Sequence, residues 1–112
     1  MKFQFDCVFY YVSDLEAAVR FYRDLFGLKL RSRDVVARFD IDGVLVELVP
    51  GTPRGKGNGR LCLKVGDLEA AAAELQGKAI RVSPIEDKGQ RKLAFFHDPD
   101  GNEIALWEYR RD

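Results

Sequence analysis

Apolar residues recur along this chain in two rhythms, one suited to strands and one to helices. From Phe3 to Val12 the sequence is aromatic and β-branched, which predicts a strand. Leu15, Ala18, Val19, Tyr22, Leu25 and Phe26 then follow the i, i+3, i+4, i+7 spacing of one helical face. Ser13 and Glu16 have the spacing of a capping box, and Gly27 stands where a left-handed C′ residue closes a helix. Strand-like segments follow near Leu28–Arg33, Val35–Asp40 and Val44–Val49, the last two joined across the hairpin signal Asp42-Gly43.

The order then repeats. Leu61, Leu63 and Val65 alternate with Cys62 and Lys64, as in a strand. Leu68, Ala71, Ala72 and Leu75 form a helical stripe ending at Gly77, each displaced by 53 residues from Leu15, Ala18, Val19 and Tyr22. Strands are expected near Ala79–Pro84, Lys92–His97 and Glu103–Tyr109, with a tight turn at Asp98-Pro99-Asp100-Gly101. Val12 to Ala18 reads VSDLEAA and Val65 to Ala71 reads VGDLEAA, identical at six of seven positions. DGVLVEL at 42–48 matches DGNEIAL at 100–106 with an offset of 58. Internal repetition of this kind marks a duplicated structural unit.

Each half therefore reads β-α-β-β-β and is too small to bury a core alone. The reading is α+β: one domain over 1–112, with module 1 at about 1–50, a linker at 51–59 and module 2 at about 60–112. The halves must share a sheet or pack together, within one chain or swapped between two. The linker GTPRGKGNG has neither the phosphate-loop nor the dinucleotide-binding spacing, and reads as a plain connection.

Composition narrows the classes. With 18 Lys+Arg against 18 Asp+Glu the formal net charge is zero, which gives no footprint for nucleic acid or a membrane surface. No apolar run is long enough to span a bilayer, and no signal-peptide pattern is seen. The two cysteines, Cys7 and Cys62, make no disulfide framework. A cytoplasmic setting is expected, and the lack of self-repulsion allows homodimerisation.

Alternation also sorts the strand residues by face. One face covers the helices, and the other is free to line a cavity. The cavity face takes Cys7, Phe9 and Tyr11 from the first strand, and Arg60, Cys62 and Lys64 from its counterpart. The closing strands supply Glu47 in one half, and Glu103, Ala105, Trp107 and Tyr109 in the other. The duplication thus singles out four related positions, Cys7, Glu47, Arg60 and Ala105. Glu47 is a carboxylate in an apolar strand and needs a partner, and Arg60 is expected to provide it. His97, the one histidine, precedes a turn and reads as a loop residue.

The paired βαβββ units, VSDLEAAVRFYRDLFGL and the closing FFHDPDGNEIALWE resemble the glyoxalase / bleomycin-resistance / extradiol-dioxygenase superfamily, also called vicinal oxygen chelate proteins, over nearly the whole chain. The resemblance implies a cup-shaped, mostly antiparallel eight-stranded surface with helices outside. It also implies that metal-dependent relatives carry His, Glu or Gln on the first and last strand of each module. Those places fall on Cys7, Glu47, Arg60 and Ala105, where only Glu47 keeps the usual type; Arg60 is always protonated and Ala105 has no donor. The expectation is no metal, no cofactor and a small aromatic or anionic ligand held by Cys7, Phe9, Tyr11, Glu47, Arg60, Cys62, Trp107 and Tyr109. The alternative is a glyoxalase-like lyase, isomerase or dioxygenase acting in the same cup, with Glu47 or Cys7 as the catalytic candidates.

Overall fold

A computed structural model of the chain describes residues 2, 6–53 and 60–110. The start of the aromatic run, Phe3 to Phe5, and the glycine loop from Arg54 to Gly59 lie outside the described residues. The chain divides into two compact units, Met1–Arg54 and Gly55–Asp112.

In the first unit, β1 spans Cys7–Val12, α1 spans Leu15–Val19, β2 spans Lys29–Arg33, β3 spans Ala37–Ile41 and β4 spans Val44–Pro50. The four strands form one sheet in the order β1-β4-β3-β2. Strands β1 and β4 run parallel, and the other two pairings are antiparallel. A helical crossover permits the parallel pair, while the antiparallel pairs need only short turns. Asp42 (φ 53°) and Gly43 (φ 85°) both take positive φ, as a type I′ turn requires, and Ile41 pairs with Val44 across them.

Asp14, rather than Ser13, caps α1: its carboxylate accepts from the Ala17 amide at 3.1 Å. A charged cap also meets the positive end of the helix, which favours Asp over Ser here. Glu16 consequently sits one place too early for a capping box and instead pairs with Arg33 at 3.2 Å. Past Val19 the helix widens into a π-helical stretch, Arg20–Leu25, with the Phe26 amide donating to the Phe21 carbonyl at 2.8 Å. The extra residue per turn rotates the apolar face. Phe21 turns inward beside Tyr22, while Leu25, expected on that face, is exposed. Gly27 closes the helix with φ 87°, as the sequence predicts.

The second unit repeats this plan. Strand β5 spans Arg60–Lys64, α2 Leu68–Gly77, β6 Glu86–Asp87, β7 Arg91–His97 and β8 Glu103–Tyr109, in the sheet order β5-β8-β7-β6. Again the first strand is parallel to the last, and the other pairings are antiparallel. Asp67 caps α2 as Asp14 caps α1, accepting from the Ala70 amide at 3.0 Å. The aspartate of the repeated D-L-E-A is thus the helix cap in both modules.

Two expectations shift in this unit. The segment near Ala79–Pro84 is no ladder strand; Ser83 joins it to β7, its amide donating to the Phe95 carbonyl and its hydroxyl accepting from the Phe95 amide, each at 2.9 Å. Pro84 has no N–H to continue a ladder, so paired structure begins only at β6. The left-handed residue after α2 is Ala79 (φ 64°), not Gly77. The Ile80 amide donates to the Leu75 carbonyl and the Ala79 amide to the Gln76 carbonyl, both at 3.0 Å, which is a Schellman closure.

In each unit most buried strand residues face the helix, among them Tyr10, Val12, Val46 and Leu48 in the first and Leu61, Ile104 and Leu106 in the second. Tyr22 packs its ring 5.8 Å from that of Phe39, joining the widened helix to β3. The turn before β8 is pinned by buried Asp98. Its carboxylate accepts from the amides of Asp100 (2.9 Å) and Asn102 (2.8 Å) and from the Asn102 side chain (2.7 Å). A buried polar pair satisfied in this way fixes where the last strand starts.

Because Ala79 is exposed and left-handed, Ala79→Gly removes a Cβ penalty without opening a cavity. The variant is expected to gain about 0.5–1 kcal/mol, read as a raised urea midpoint at constant m-value. A lowered midpoint would contradict the left-handed closure.

Candidate functional site

The face of the first sheet turned away from α1 carries Cys7, Phe9 and Tyr11 on β1, Glu47 on β4, Arg38 on β3 and Ser32 on β2. The register sets Phe9 beside Glu47, Arg38 opposite Glu47 and Ser32 opposite Arg38. A chain of hydrogen bonds crosses all four strands. The Cys7 thiol donates to Glu47 Oε1 at 3.4 Å, Arg38 Nε donates to Glu47 Oε2 at 2.6 Å, and Arg38 Nη1 donates to the Ser32 hydroxyl at 3.4 Å. Phe9 is 46% exposed and stands edge-on to Tyr11, with ring centroids 5.4 Å apart.

Glu47 thus has its counter-charge within its own module. Arg60, expected as the partner of Glu47, donates through Nε to Glu103 of its own module. Arg38 lies on a middle strand, outside the cavity residues that alternation selects on the first and closing strands, yet hairpin register points to it. With a two-residue turn at Asp42-Gly43, antiparallel register alone sets Arg38 opposite Glu47.

In the second sheet, the face away from α2 is identified by what its opposite face does. Glu108 accepts from the Leu68 amide at the start of α2, and Lys92 pairs with Glu69 of α2 at 2.9 Å. Their neighbours Trp107, Tyr109, Arg91 and Leu93 therefore point the other way. On that face Arg60, Cys62 and Lys64 lie beside Glu103, Ala105 and Trp107 in parallel register. Across β7, His97 is paired with Glu103, Phe95 with Ala105 and Arg91 with Tyr109. Arg91 holds its guanidinium carbon 4.0 Å from the centre of the Trp107 ring. His97, read as a turn residue, is the last residue of β7 and has Nε2 3.9 Å from Glu103.

Ala105 departs from the open cavity expected there: it is fully buried. Cys62 is exposed, and Cys7 is half-buried. Burial, reinforced by the hydrogen bond and negative charge of Glu47, pushes the Cys7 thiol above the usual range. That favours the protonated thiol at neutral pH, the form that is neither nucleophile nor metal ligand.

These side chains do not fit the catalytic metal of the wider fold. Glu47 has one oxygen on Arg38 and the other on Cys7, Cys7 is held as a thiol, Arg60 is a cation and Ala105 has no donor atom. About three protein ligands are needed for such a centre. Among the described residues a different acidic group comes together, Asp67, Glu69 and Glu108. The Lys92 ammonium lies within it, 2.9 Å from Glu69 and 3.5 Å from Glu108.

The thiol–carboxylate contact yields a kinetic expectation. Alkylation with iodoacetamide near pH 8, followed by peptide mass spectrometry, should label exposed Cys62 before Cys7. The pH–rate curve of Cys7 should rise above about 8.5, the ordinary thiol midpoint. Glu47→Gln removes the adjacent negative charge and should move that curve to lower pH. An unmoved curve would show that Glu47 does not act on the thiol.

Comparison with known proteins agrees with this fold. Over 64 residues the chain is 36% identical to the uncharacterized protein YaeR of Escherichia coli (strain K12), a match covering 53% of this chain and 47% of that protein. The match thus spans about half the length of that curated relative. An antibiotic binding protein from Streptomyces sp. CB03234, TnmS3, superposes with a TM-score of 0.81 at 28% identity, covering 98% of this chain and 99% of that one. A lactoylglutathione lyase from Agrobacterium tumefaciens superposes with a TM-score of 0.79 at 21% identity, covering 94% of this chain and 92% of that one, a likeness of fold alone. The profile of the Glyoxalase/Bleomycin resistance protein/Dioxygenase superfamily matches residues 4–106, and with both modules in its topology the chain belongs to that superfamily.

Proposed function

We propose that this protein is a metal-independent receptor for a small aromatic or anionic molecule. The observation that carries the reading is the occupancy of Glu47. The one carboxylate at the four symmetry-related positions is already bound by Arg38 and Cys7. With no free metal donor at those four positions, the strand faces offer aromatic surface and fixed charge, which suit binding rather than metal-assisted chemistry. In this reading the two modules form one domain. Phe9, Tyr11, Trp107 and Tyr109 provide stacking surface, Cys62 an apolar edge, and Arg60 and Glu103 a polar border.

The likeness to an antibiotic binding protein at 28% identity supports the same class. The raised Cys7 thiol weighs against the thiol-nucleophile alternative, since the reactive thiolate is disfavoured at neutral pH. The receptor is further read as a homodimer with two equivalent sites, in keeping with its zero net charge and the commonness of two-fold dimers.

The test uses Trp107, the single tryptophan. Titrating a panel of aromatic antibiotics and aromatic acids should quench or shift its fluorescence with saturation at one ligand per chain. Light scattering at micromolar protein should return twice the chain mass. No saturable response across the panel would contradict the receptor reading, and a monomer would contradict its assembly.

A further inference from the structure

The cations on the open face of the second sheet differ in their partners. Arg60 is bound to Glu103. Arg91 and Lys64 make no ion pair with any carboxylate among the described residues, yet both flank Trp107. Lys64 is its register neighbour on β5, and Arg91 lies over its ring at 4.0 Å. Glu108, next in sequence, points to the helix face, where Lys92 and the start of α2 engage it. On the same face Glu86, the register partner of Leu93, pairs with Lys88 at 3.4 Å, so neither carboxylate forms a salt bridge to Arg91 or Lys64.

A guanidinium stacked on an indole keeps its in-plane N–H donors pointing outward along the ring edge, because only its flat face is used. Such a cation is preorganised for a carboxylate lying beside the tryptophan. Tyr109, opposite Arg91 in register and 52% exposed, adds aromatic surface on the same face. An aromatic ring placed on this surface would set its acid group against Arg91 and Lys64.

We propose that Arg91 determines specificity for planar aromatic carboxylates, binding the acid group of a ligand whose ring stacks beside Trp107. This rests on the receptor reading but assigns the anion to Arg91 and Lys64, rather than to the Arg60 that alternation in the sequence points to. Charge-assisted, bidentate contacts of this kind separate an acid from its neutral analogue by about tenfold or more.

The experiment compares naphthoate with naphthamide by titration calorimetry, following the one indole N–H resonance of Trp107 by NMR. Wild-type protein should bind the acid at least about tenfold more tightly than the amide. Arg91→Gln should abolish that preference, and Arg91→Lys should restore only part of it. Retention of the far-ultraviolet spectrum and thermal midpoint by Arg91→Gln separates lost recognition from lost folding. Equal binding of acid and amide by the wild type, or an unchanged preference in Arg91→Gln, would overturn the assignment while sparing the receptor reading. Binding of neither compound, with no shift of the indole resonance, would overturn the assignment and count against the receptor reading as well.

Discussion

The contact between Arg38 and Glu47 governs how this protein can be used. An acid inside an apolar strand must be matched by a cation, a proton or a metal ion. Here the match is a guanidinium from the neighbouring strand, 2.6 Å away. With Arg38 36% exposed, the pair contributes about 1 kcal/mol to stability, well short of a fully buried bridge. Its larger consequence is chemical. By occupying one oxygen of Glu47, and leaving the other to the Cys7 thiol, it removes the best donor from the set that a metal would need. The thiol is then disfavoured as an anion by the same carboxylate.

The two modules share a topology and a capping aspartate but have taken different chemistry. The first sheet carries a polar relay from Cys7 through Glu47 and Arg38 to Ser32. The second carries aromatic surface with cations, and Phe95 opposite Ala105 takes the place that the Arg38–Glu47 pair holds in the first. Duplication supplied two similar frames, and the residues on their open faces diverged. That is how one fold can serve binding and catalysis in different relatives.

Most of the fold was legible because its signals are local and repeated. D-L-E-A marks both helix starts, Asp42-Gly43 marks a hairpin, and strand alternation sorts Tyr10 and Val12 from Phe9 and Tyr11. The departures arise where one local effect beats another. Asp14 caps in place of Ser13, since a carboxylate also gains from the helix dipole. The π-helical turn carries Phe21 inward and Leu25 outward, which no i, i+4 count anticipates. Pro84 silences a segment whose apolar residues look strand-like. At the site, Arg38 was recoverable from hairpin register, whereas the Arg60–Glu103 pair depends on parallel register across a crossover, which sequence spacing does not fix. The Arg91–Trp107 stack likewise required the five-residue turn between β7 and β8 to be known.

In the proposed receptor a guanidinium, rather than a metal ion, completes the environment of Glu47. The most direct measurement is elemental analysis of protein purified without chelator, before and after equilibration with zinc, nickel, iron(II) and manganese. The account predicts far less than one metal per chain after gel filtration in every case, and the same result for Arg38→Lys. One tightly retained metal per chain, lost in Glu47→Gln, would contradict it.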